Sequence, residues 1–216
     1  MQPPARPVTR ALIIGMALAL CTLCLLAWLS TEVLEGDTTR FDDHVRSVIY
    51  QHAAWPLTML MRGFTNIGSP WVLWPMVVTT LYVLWRGGRR YETALLGVAM
   101  SGSIVLETGL KIAFHRPRPT PFFGLGTPAS YSYPSGHALF SFCFYGTLAS
   151  LTVAQVRGRA RRALVWVAAA VMIFLIGFSR IYLGVHYASD VIAGYAAAFV
   201  WVTAVNAGFR LRGGRT

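Results

Sequence analysis

Six apolar runs dominate the sequence, and their lengths restrict the chain to folds that cross a lipid bilayer. The runs cover residues 11–30, 70–85, 92–114, 135–155, 163–182 and 187–208. Of the 216 residues, 55% are hydrophobic and 12% are charged, and a soluble domain carries about twice that charged fraction. The pattern therefore predicts an all-α, polytopic membrane protein with six transmembrane helices in a single domain, residues 1–216.

Basic residues are concentrated in those connections that should share one side of the membrane. Six spans place both termini on the same side, together with three basic segments: residues 86–90, 157–162 and 210–215. Because cytoplasmic loops are enriched in Lys and Arg, this side is predicted to be cytoplasmic. The other connections then face the extracytoplasmic side: residues 31–68, 115–134 and 180–187.

The first extracytoplasmic connection, residues 31–68, is the most polar part of the chain. Its apolar residues recur at helical spacing and predict an amphipathic helix at the membrane interface, between the first two spans: Phe41, Val45, Val48 and Ile49. A second short helix is predicted over about 54–65. We interpret this connection as a lid or spacer without a direct part in chemistry.

The net charge is +11, and the positive loops account for most of it, so no nucleic-acid partner is expected. The three cysteines, Cys21, Cys24 and Cys143, all fall within apolar runs. No second cysteine pair accompanies the first two, which argues against a metal or redox role. No cluster of Asp, Glu and His resembles a divalent-cation site, so metal-independent activity without a cofactor is predicted.

A polar cluster interrupts the apolar pattern at residues 179–190. His186 and Asp190 are four residues apart, so they share one face if residues from about 185 onward are helical. The carboxylate can hold one ring nitrogen and leave the other available, as in nucleophilic catalysis. Arg180 offers a fork of N–H groups suited to phosphate oxygens. Simple anchoring at the interface would explain an isolated Arg or His equally well, so two further clusters decide the interpretation.

The first of these lies where the third span meets a Pro-rich connection. Lys111 falls about one turn inside the span, where a lysine is a functional candidate unless it snorkels to the interface. The helix is predicted to end near Arg116, because a residue before proline avoids helical angles. Pro117 and Pro119 flank Arg118 and should hold it rigidly.

The other cluster is Pro134-Ser135-Gly136-His137, at the start of the fourth span. A serine cap followed by glycine exposes backbone N–H groups that can bind an anion. His137 in the first turn could transfer a proton to a leaving oxygen. A structural cap with an incidental histidine is the alternative.

Together the clusters read Lys-x6-Arg-Pro, Pro-Ser-Gly-His and Ser-Arg-x5-His-x3-Asp over residues 111–190. This order resembles the signature of the type 2 phosphatidic acid phosphatase superfamily, which includes membrane lipid phosphatases, soluble class A acid phosphatases and vanadium haloperoxidases. The resemblance implies that His186 forms a phosphohistidine, that Asp190 orients it, and that His137 acts as acid and base. It also implies a set of phosphate-binding residues: Lys111, Arg118, Ser135, Gly136 and Arg180.

The implied activity is removal of phosphate from a lipid phosphate or pyrophosphate at the extracytoplasmic face. Phosphatidic acid, phosphatidylglycerol phosphate and undecaprenyl pyrophosphate are candidate substrates, with lipid A as an alternative. The membrane spans argue against a haloperoxidase, and the absence of repeats argues against an anion transporter or non-enzymatic scaffold. The expected partners are the lipid substrate and the bilayer, and the oligomeric state stays open. Glu107 is expected to pair with Lys111 or Arg116, and His115 is read as interfacial.

Overall fold

The computed structural model describes residues 10–213, with side chains described for residues 13–211. Within this range the chain forms eight α-helices and no β-strand: α1 (Arg10–Glu35), α2 (Thr39–Gln51), α3 (Trp55–Ile67), α4 (Pro70–Arg86), α5 (Arg90–Phe114), α6 (Gly136–Val153), α7 (Arg159–Tyr182) and α8 (Ala188–Gly213). The all-α prediction is confirmed, and each of the six predicted runs coincides with one helix. Residues 1–9 and 214–216, which bear on the predicted cytoplasmic location of the termini, lie outside the described range.

Five of the described helices are long and apolar enough to cross a membrane on their own, namely α1, α5, α6, α7 and α8. α4 has 17 residues and is therefore about 25 Å long, less than the roughly 30 Å of the hydrocarbon layer. α3 and α4 meet at a 45° bend and reach the required length only as a pair. The chain is thus an integral membrane protein with five single-helix spans and one bent candidate.

Helix α6 is the centre of the bundle, because it packs against α5, α7 and α8. The core around it contains Leu96, Leu139 and Phe144, which are fully buried. Close approach of α8 to the start of α6 depends on Gly194, where a Cβ atom would lie 2.7 Å from the Ser135 carbonyl oxygen. In a bilayer, such small residues let helices pack closely.

Helices α2 and α3 cover the end of the bundle formed by the end of α7 and the start of α8. Both predicted helices of the 31–68 connection are present, although the interfacial location of α2 stays a prediction. Val45 and Ile49 pack inward as expected, whereas Phe41 and Val48 are exposed. The inward face of α2 also carries Asp42, which is fully buried.

Candidate active site

All three polar clusters of the sequence meet at one end of the bundle. The connection between α5 and α6 bonds to the one between α7 and α8, since the Phe122 amide donates to the Leu183 carbonyl at 3.0 Å. The Ser135 amide donates to the Asp190 carbonyl, also at 3.0 Å, and ties the start of α6 to the start of α8. The site is therefore assembled from helix ends that lie far apart in the sequence.

A buried histidine–aspartate pair forms the centre of the site. Nδ1 of His186 lies 3.3 Å from Oδ2 of Asp190, and the two side chains are 2% and 0% exposed. The same Oδ2 accepts the Tyr187 amide at 2.9 Å and the Ser132 hydroxyl. Since Asp190 is a carboxylate acceptor, Nδ1 of His186 is assigned as the protonated nitrogen. The lone pair then resides on Nε2.

The charge state of His186 agrees with this tautomer. Burial is the largest influence and lowers the pKa of His186 to about 4, against the opposing effect of Asp190. The charges of Arg118 and Arg180 lower it further. His186 is therefore neutral at neutral pH, with a lone pair available on Nε2.

Arg118 is held beside this nitrogen by a set of directed hydrogen bonds. Its Nη1 lies 2.9 Å from Nε2 of His186 and donates to the Val185 carbonyl at 2.8 Å. On its other side, Nε donates to the Ser130 carbonyl at 2.6 Å and Nη2 donates to the Ser130 hydroxyl at 3.0 Å. Burial lowers the pKa of Arg118, but arginine keeps its proton at neutral pH. A fixed cation thus faces the reactive nitrogen.

Lys111 lies in the last turn of α5 and is paired with Glu107. Its Nζ is 2.9 Å from Oε1 of Glu107 and donates to the Ser130 hydroxyl at 3.1 Å. Of the two partners considered for Glu107, Lys111 is the one that the structure provides. The Glu107 carboxylate also reaches the start of α6, because a Cβ atom on Gly136 would lie 2.8 Å from Oε1. A larger residue at position 136 would displace that carboxylate.

Two of the remaining predicted residues, His137 and Arg180, border the end of α3. Arg180 donates through Nη1 to the Thr65 hydroxyl, and a Cβ atom on Gly68 would lie 3.2 Å from the His137 ring. Ser135 occupies the N-cap position of α6 but forms no side-chain cap bond, which corrects the expected serine cap. Its hydroxyl is buried without a partner among the described residues.

Arg116 has a structural connection that the sequence analysis missed. Its Nη1 donates to Asp190 Oδ1 at 2.6 Å and to the Ser189 hydroxyl at 2.7 Å. Its Nη2 donates to Asp42 Oδ2 at 2.8 Å, and Asp42 also accepts the Ser189 amide at 2.9 Å. Burial opposes the charge of Arg116, but the carboxylates of Asp190 and Asp42 outweigh it and raise its pKa.

The connection at residues 31–68 therefore also stabilises the site, and its interpretation as a lid or spacer stays a prediction. Asp42, Val45 and Ile49 share the spacing of one helix face. An acidic residue on an otherwise apolar, inward-facing stripe requires a buried partner, and this signal was available in the sequence. Arg116 could not be identified as that partner from the sequence, because it lies far from Asp42 in the chain, in the connection after α5.

A second residue of α2, Arg46, donates hydrogen bonds to both the α5–α6 connection and the α7–α8 connection. It donates to the Gly184 carbonyl at 3.0 Å and to the Thr120 carbonyl at 2.9 Å. Its guanidinium lies 4.7 Å from the centre of the Phe122 ring. Gly184 adopts φ +72°, and a Cβ atom there would lie 2.7 Å from that ring. Only glycine fits both the backbone angle and the contact.

The apolar helical bundle, with a buried His–Asp pair beside fixed cations, is typical of a membrane enzyme that acts on phosphate groups. Residues 92–213 match the family model of the PAP2 superfamily, and the chain belongs to that superfamily. The resemblance and the enzyme class inferred from the sequence are thereby confirmed. The match begins in α5, so α2 and α3 lie outside it.

Curated relatives are enzymes named for lipid phosphates. The chain is 30% identical to phosphatidylglycerophosphatase B of Bacillus subtilis over 141 residues, 65% of the chain and 69% of that protein. It is 30% identical to the undecaprenyl-diphosphatase of Sulfolobus acidocaldarius over 144 residues, 64% of each protein. It is 35% identical to the lipid A 1-phosphatase of Rhizobium etli over 125 residues, 54% of the chain and 47% of that protein.

Solved structures share the fold. The crystal structure of a transmembrane PAP2-type phosphatidylglycerolphosphate phosphatase from Bacillus subtilis superimposes with a TM-score of 0.81 at 24% identity, covering 90% of this chain and 96% of that one. Aquifex aeolicus LpxE superimposes with a TM-score of 0.58 at 24% identity, covering 77% and 94%. The first of these matches extends well beyond residues 92–213.

Proposed function

We propose that this protein removes phosphate from a lipid phosphate or pyrophosphate through a phosphohistidine intermediate, without a metal ion. The observation that carries the proposal is the orientation of His186, whose Nδ1 contacts Asp190 at 3.3 Å and whose Nε2 faces the Arg118 guanidinium at 2.9 Å. A neutral imidazole held in this way carries its lone pair on Nε2 beside a phosphate-binding cation, and a phosphate bound to Arg118 would replace Nε2 as the acceptor of its N–H.

In the first step, Nε2 of His186 attacks the phosphorus atom as the bond from phosphorus to the leaving oxygen breaks. His137 donates a proton to that oxygen, so the alcohol or phosphate leaves in protonated form. Asp190 stabilises the positive charge that develops on the His186 ring. The product of this step is a phosphohistidine.

In the second step, His137 takes a proton from a water molecule, and the resulting hydroxide attacks the phosphorus atom. The bond between phosphorus and Nε2 breaks, inorganic phosphate leaves, and His186 is again neutral. One histidine therefore serves as acid and then as base, as reversal of the first step requires.

Charge neutralisation is assigned to Lys111, Arg118 and Arg180, with the Ser135 hydroxyl and the Gly136 amide at the start of α6. Phosphoryl transfer depends mainly on positioning and on fixed positive charge, which these groups can supply. The described residues include no group of three or more His, Cys, Asp or Glu side chains that could hold a metal ion.

Several lipids fit this chemistry. Phosphatidylglycerol phosphate and undecaprenyl pyrophosphate are supported by the names of two relatives, and phosphatidic acid by the shared chemistry of a terminal phosphate. Lipid A is the alternative, supported by a third relative. We assign the whole chain to one membrane-embedded domain, whose phosphate site receives the headgroup while the acyl or prenyl tail stays in the bilayer.

We further propose six spans, with the bent α3–α4 pair counted as one. This number puts the basic turns at residues 86–90 and 157–162 in the cytoplasm and the active site on the extracytoplasmic side of the inner membrane. The amphipathic α2 then lies at the outer interface.

The direct test is phosphate release by the purified protein in detergent, with EDTA present. Wild type should release inorganic phosphate from at least one of the four lipids, and His186→Ala should abolish turnover. His44→Ala, which changes an exposed histidine on α2, is the matched control and should keep the wild-type rate. Wild-type turnover by His186→Ala would exclude the mechanism, and anion flux in liposomes without any phosphate release would favour a transporter.

A further inference from the structure

A polar cavity lies next to the catalytic cluster, on the side of α3. It has a volume of about 310 Å³, and its polar lining consists of Arg62, Thr65, Asn66 and Arg180. Arg180 is shared with the catalytic cluster, whereas the other three residues come from α3. These three residues lie outside the family match, which begins at residue 92.

Both arginines of this cavity have an unsatisfied hydrogen-bond donor. The Nε atoms of Arg62 and Arg180 are buried and have no hydrogen-bond partner among the described residues. Neither guanidinium forms a salt bridge with any described carboxylate, in contrast to Arg116. Buried donors are normally satisfied in a folded protein, and two unpaired guanidinium groups around one cavity are suited to an anion with several oxygens.

The cavity lies on the side where the leaving group departs. Thr65 lines it and accepts a hydrogen bond from Arg180 through its hydroxyl. At the end of the same helix, a Cβ atom on Gly68 would lie 3.2 Å from the His137 ring. His137 is the proposed proton donor to the leaving oxygen. A group attached to that oxygen would therefore extend past Thr65 towards Arg62.

We propose that this cavity is a subsite for a second phosphate group, carried by the leaving group of the substrate. Arg62 binds that group, Asn66 contributes its amide, and Arg180 lies between the two phosphates. The inference rests on the proposed function and narrows its substrate class. Two kinds of lipid have a leaving group that carries a second phosphate. In a lipid diphosphate the inner phosphate departs with the lipid, and in phosphatidylglycerol phosphate the leaving group contains a phosphodiester. The leaving group of phosphatidic acid is diacylglycerol, which has no phosphate.

The kinetic test compares kcat/KM for undecaprenyl pyrophosphate, phosphatidylglycerol phosphate and phosphatidic acid in mixed micelles of fixed composition. Wild type should prefer one or both of the two-phosphate lipids, and Arg62→Gln should reduce that preference about tenfold, mainly through KM, because one charge-assisted phosphate contact is lost. The lipid whose advantage disappears identifies the source of the second phosphate. Arg40→Gln removes an exposed arginine of α2 and should leave the preference unchanged.

A binding measurement separates this proposal from the proposed function. Methylenediphosphonate should raise the thermal unfolding midpoint of wild type more than methylphosphonate does, and Arg62→Gln should remove the difference. If wild type releases no phosphate from any lipid, the proposed function is wrong, yet the diphosphonate shift still decides the subsite. Equal loss on all three lipids in Arg62→Gln, or equal shifts by the two phosphonates in wild type, would overturn the subsite.

Discussion

The Asp42 carboxylate of α2 lies 2.8 Å from Nη2 of Arg116, although the residues are 74 positions apart in the sequence. The other terminal nitrogen of the same guanidinium contacts Asp190 at 2.6 Å. Arg116 thus links a helix outside the family match to the carboxylate that orients His186. Both carboxylates are fully buried, and the Arg116 guanidinium compensates the charge of each.

Asp42→Asn should weaken both folding and catalysis. The substitution keeps the shape of the side chain but leaves Arg116 with one carboxylate, that of Asp190, instead of two. The cost should therefore stay below the roughly 3–5 kcal/mol of a buried charge left without any partner. Without Asp42, Arg116 should shift, and the Asp190 carboxylate that it contacts should shift with it. We expect a lower thermal unfolding midpoint and a kcat reduced about tenfold, with KM for the lipid changed little, as measured in detergent.

Asp43→Asn is the matched control for this prediction, because Asp43 is the exposed neighbour on the same helix. It should change neither the unfolding midpoint nor kcat. An Asp42→Asn protein with wild-type kcat and a lowered midpoint would restrict the role of Asp42 to stability.

His137→Ala should separate the two chemical steps. An activated substrate such as p-nitrophenyl phosphate has a leaving group that needs no protonation, so His186 can still be phosphorylated. Without His137 no group activates water, and the phosphohistidine should accumulate. With a ³²P-labelled activated ester, the label on His137→Ala should be stable in base and lost in acid, as a bond from phosphorus to nitrogen requires. Equal labelling of His137→Ala and His186→Ala would contradict the assignment.

The buried His186 predicts a loss of stability in acid. Its pKa is about 4 in the folded protein because of burial, against about 6.5 in an unfolded chain. Between these values the unfolded state binds a proton that the folded state does not, so the free energy of unfolding falls as the pH drops from about 6.5 to about 4. The unfolding midpoint of wild type should decline across this range, and that of His186→Gln should decline less.

The control for this titration is His44→Gln, which removes an exposed histidine and should keep the wild-type slope. Equal slopes for wild type and His186→Gln would mean that His186 takes up its proton at the same pH in the folded and unfolded states.

Gly184→Ala tests the turn that presents His186. The residue adopts φ +72°, and a Cβ atom would lie 2.8 Å from the Phe122 amide nitrogen as well as close to its ring. A left-handed angle costs a non-glycine residue roughly 1–2 kcal/mol, and the clash adds to it. We expect a lower unfolding midpoint and a lower kcat. Gly109→Ala, in the interior of α5 with open space around its Cα, should be neutral or stabilising.

Most of the fold and of the site followed from local signals in the sequence. Apolar length predicted the helices, and the spacing of His186 and Asp190 predicted their contact. One feature depended on a long-range contact, because the sequence marks Asp42 as an acid on an apolar face but does not identify Arg116 as its partner. The bend between α3 and α4, by contrast, falls at a local break, Gly68-Ser69-Pro70. Ser135 shows that a local preference can go unused, since it occupies the N-cap position but its hydroxyl forms no cap bond.

The proposed orientation predicts which connections an impermeant thiol reagent can reach. Cys21, Cys24 and Cys143 would first be replaced by serine, since two of them are exposed on the bundle surface. In intact spheroplasts, a cysteine at Thr127 in the connection between α5 and α6 should then be labelled. A cysteine at Gly88, in the basic turn between α4 and α5, should react only after the membrane is opened. These two positions flank α5, so labelling both from the same side would mean that α5 does not cross the bilayer, and the reverse pattern would put the phosphate site in the cytoplasm.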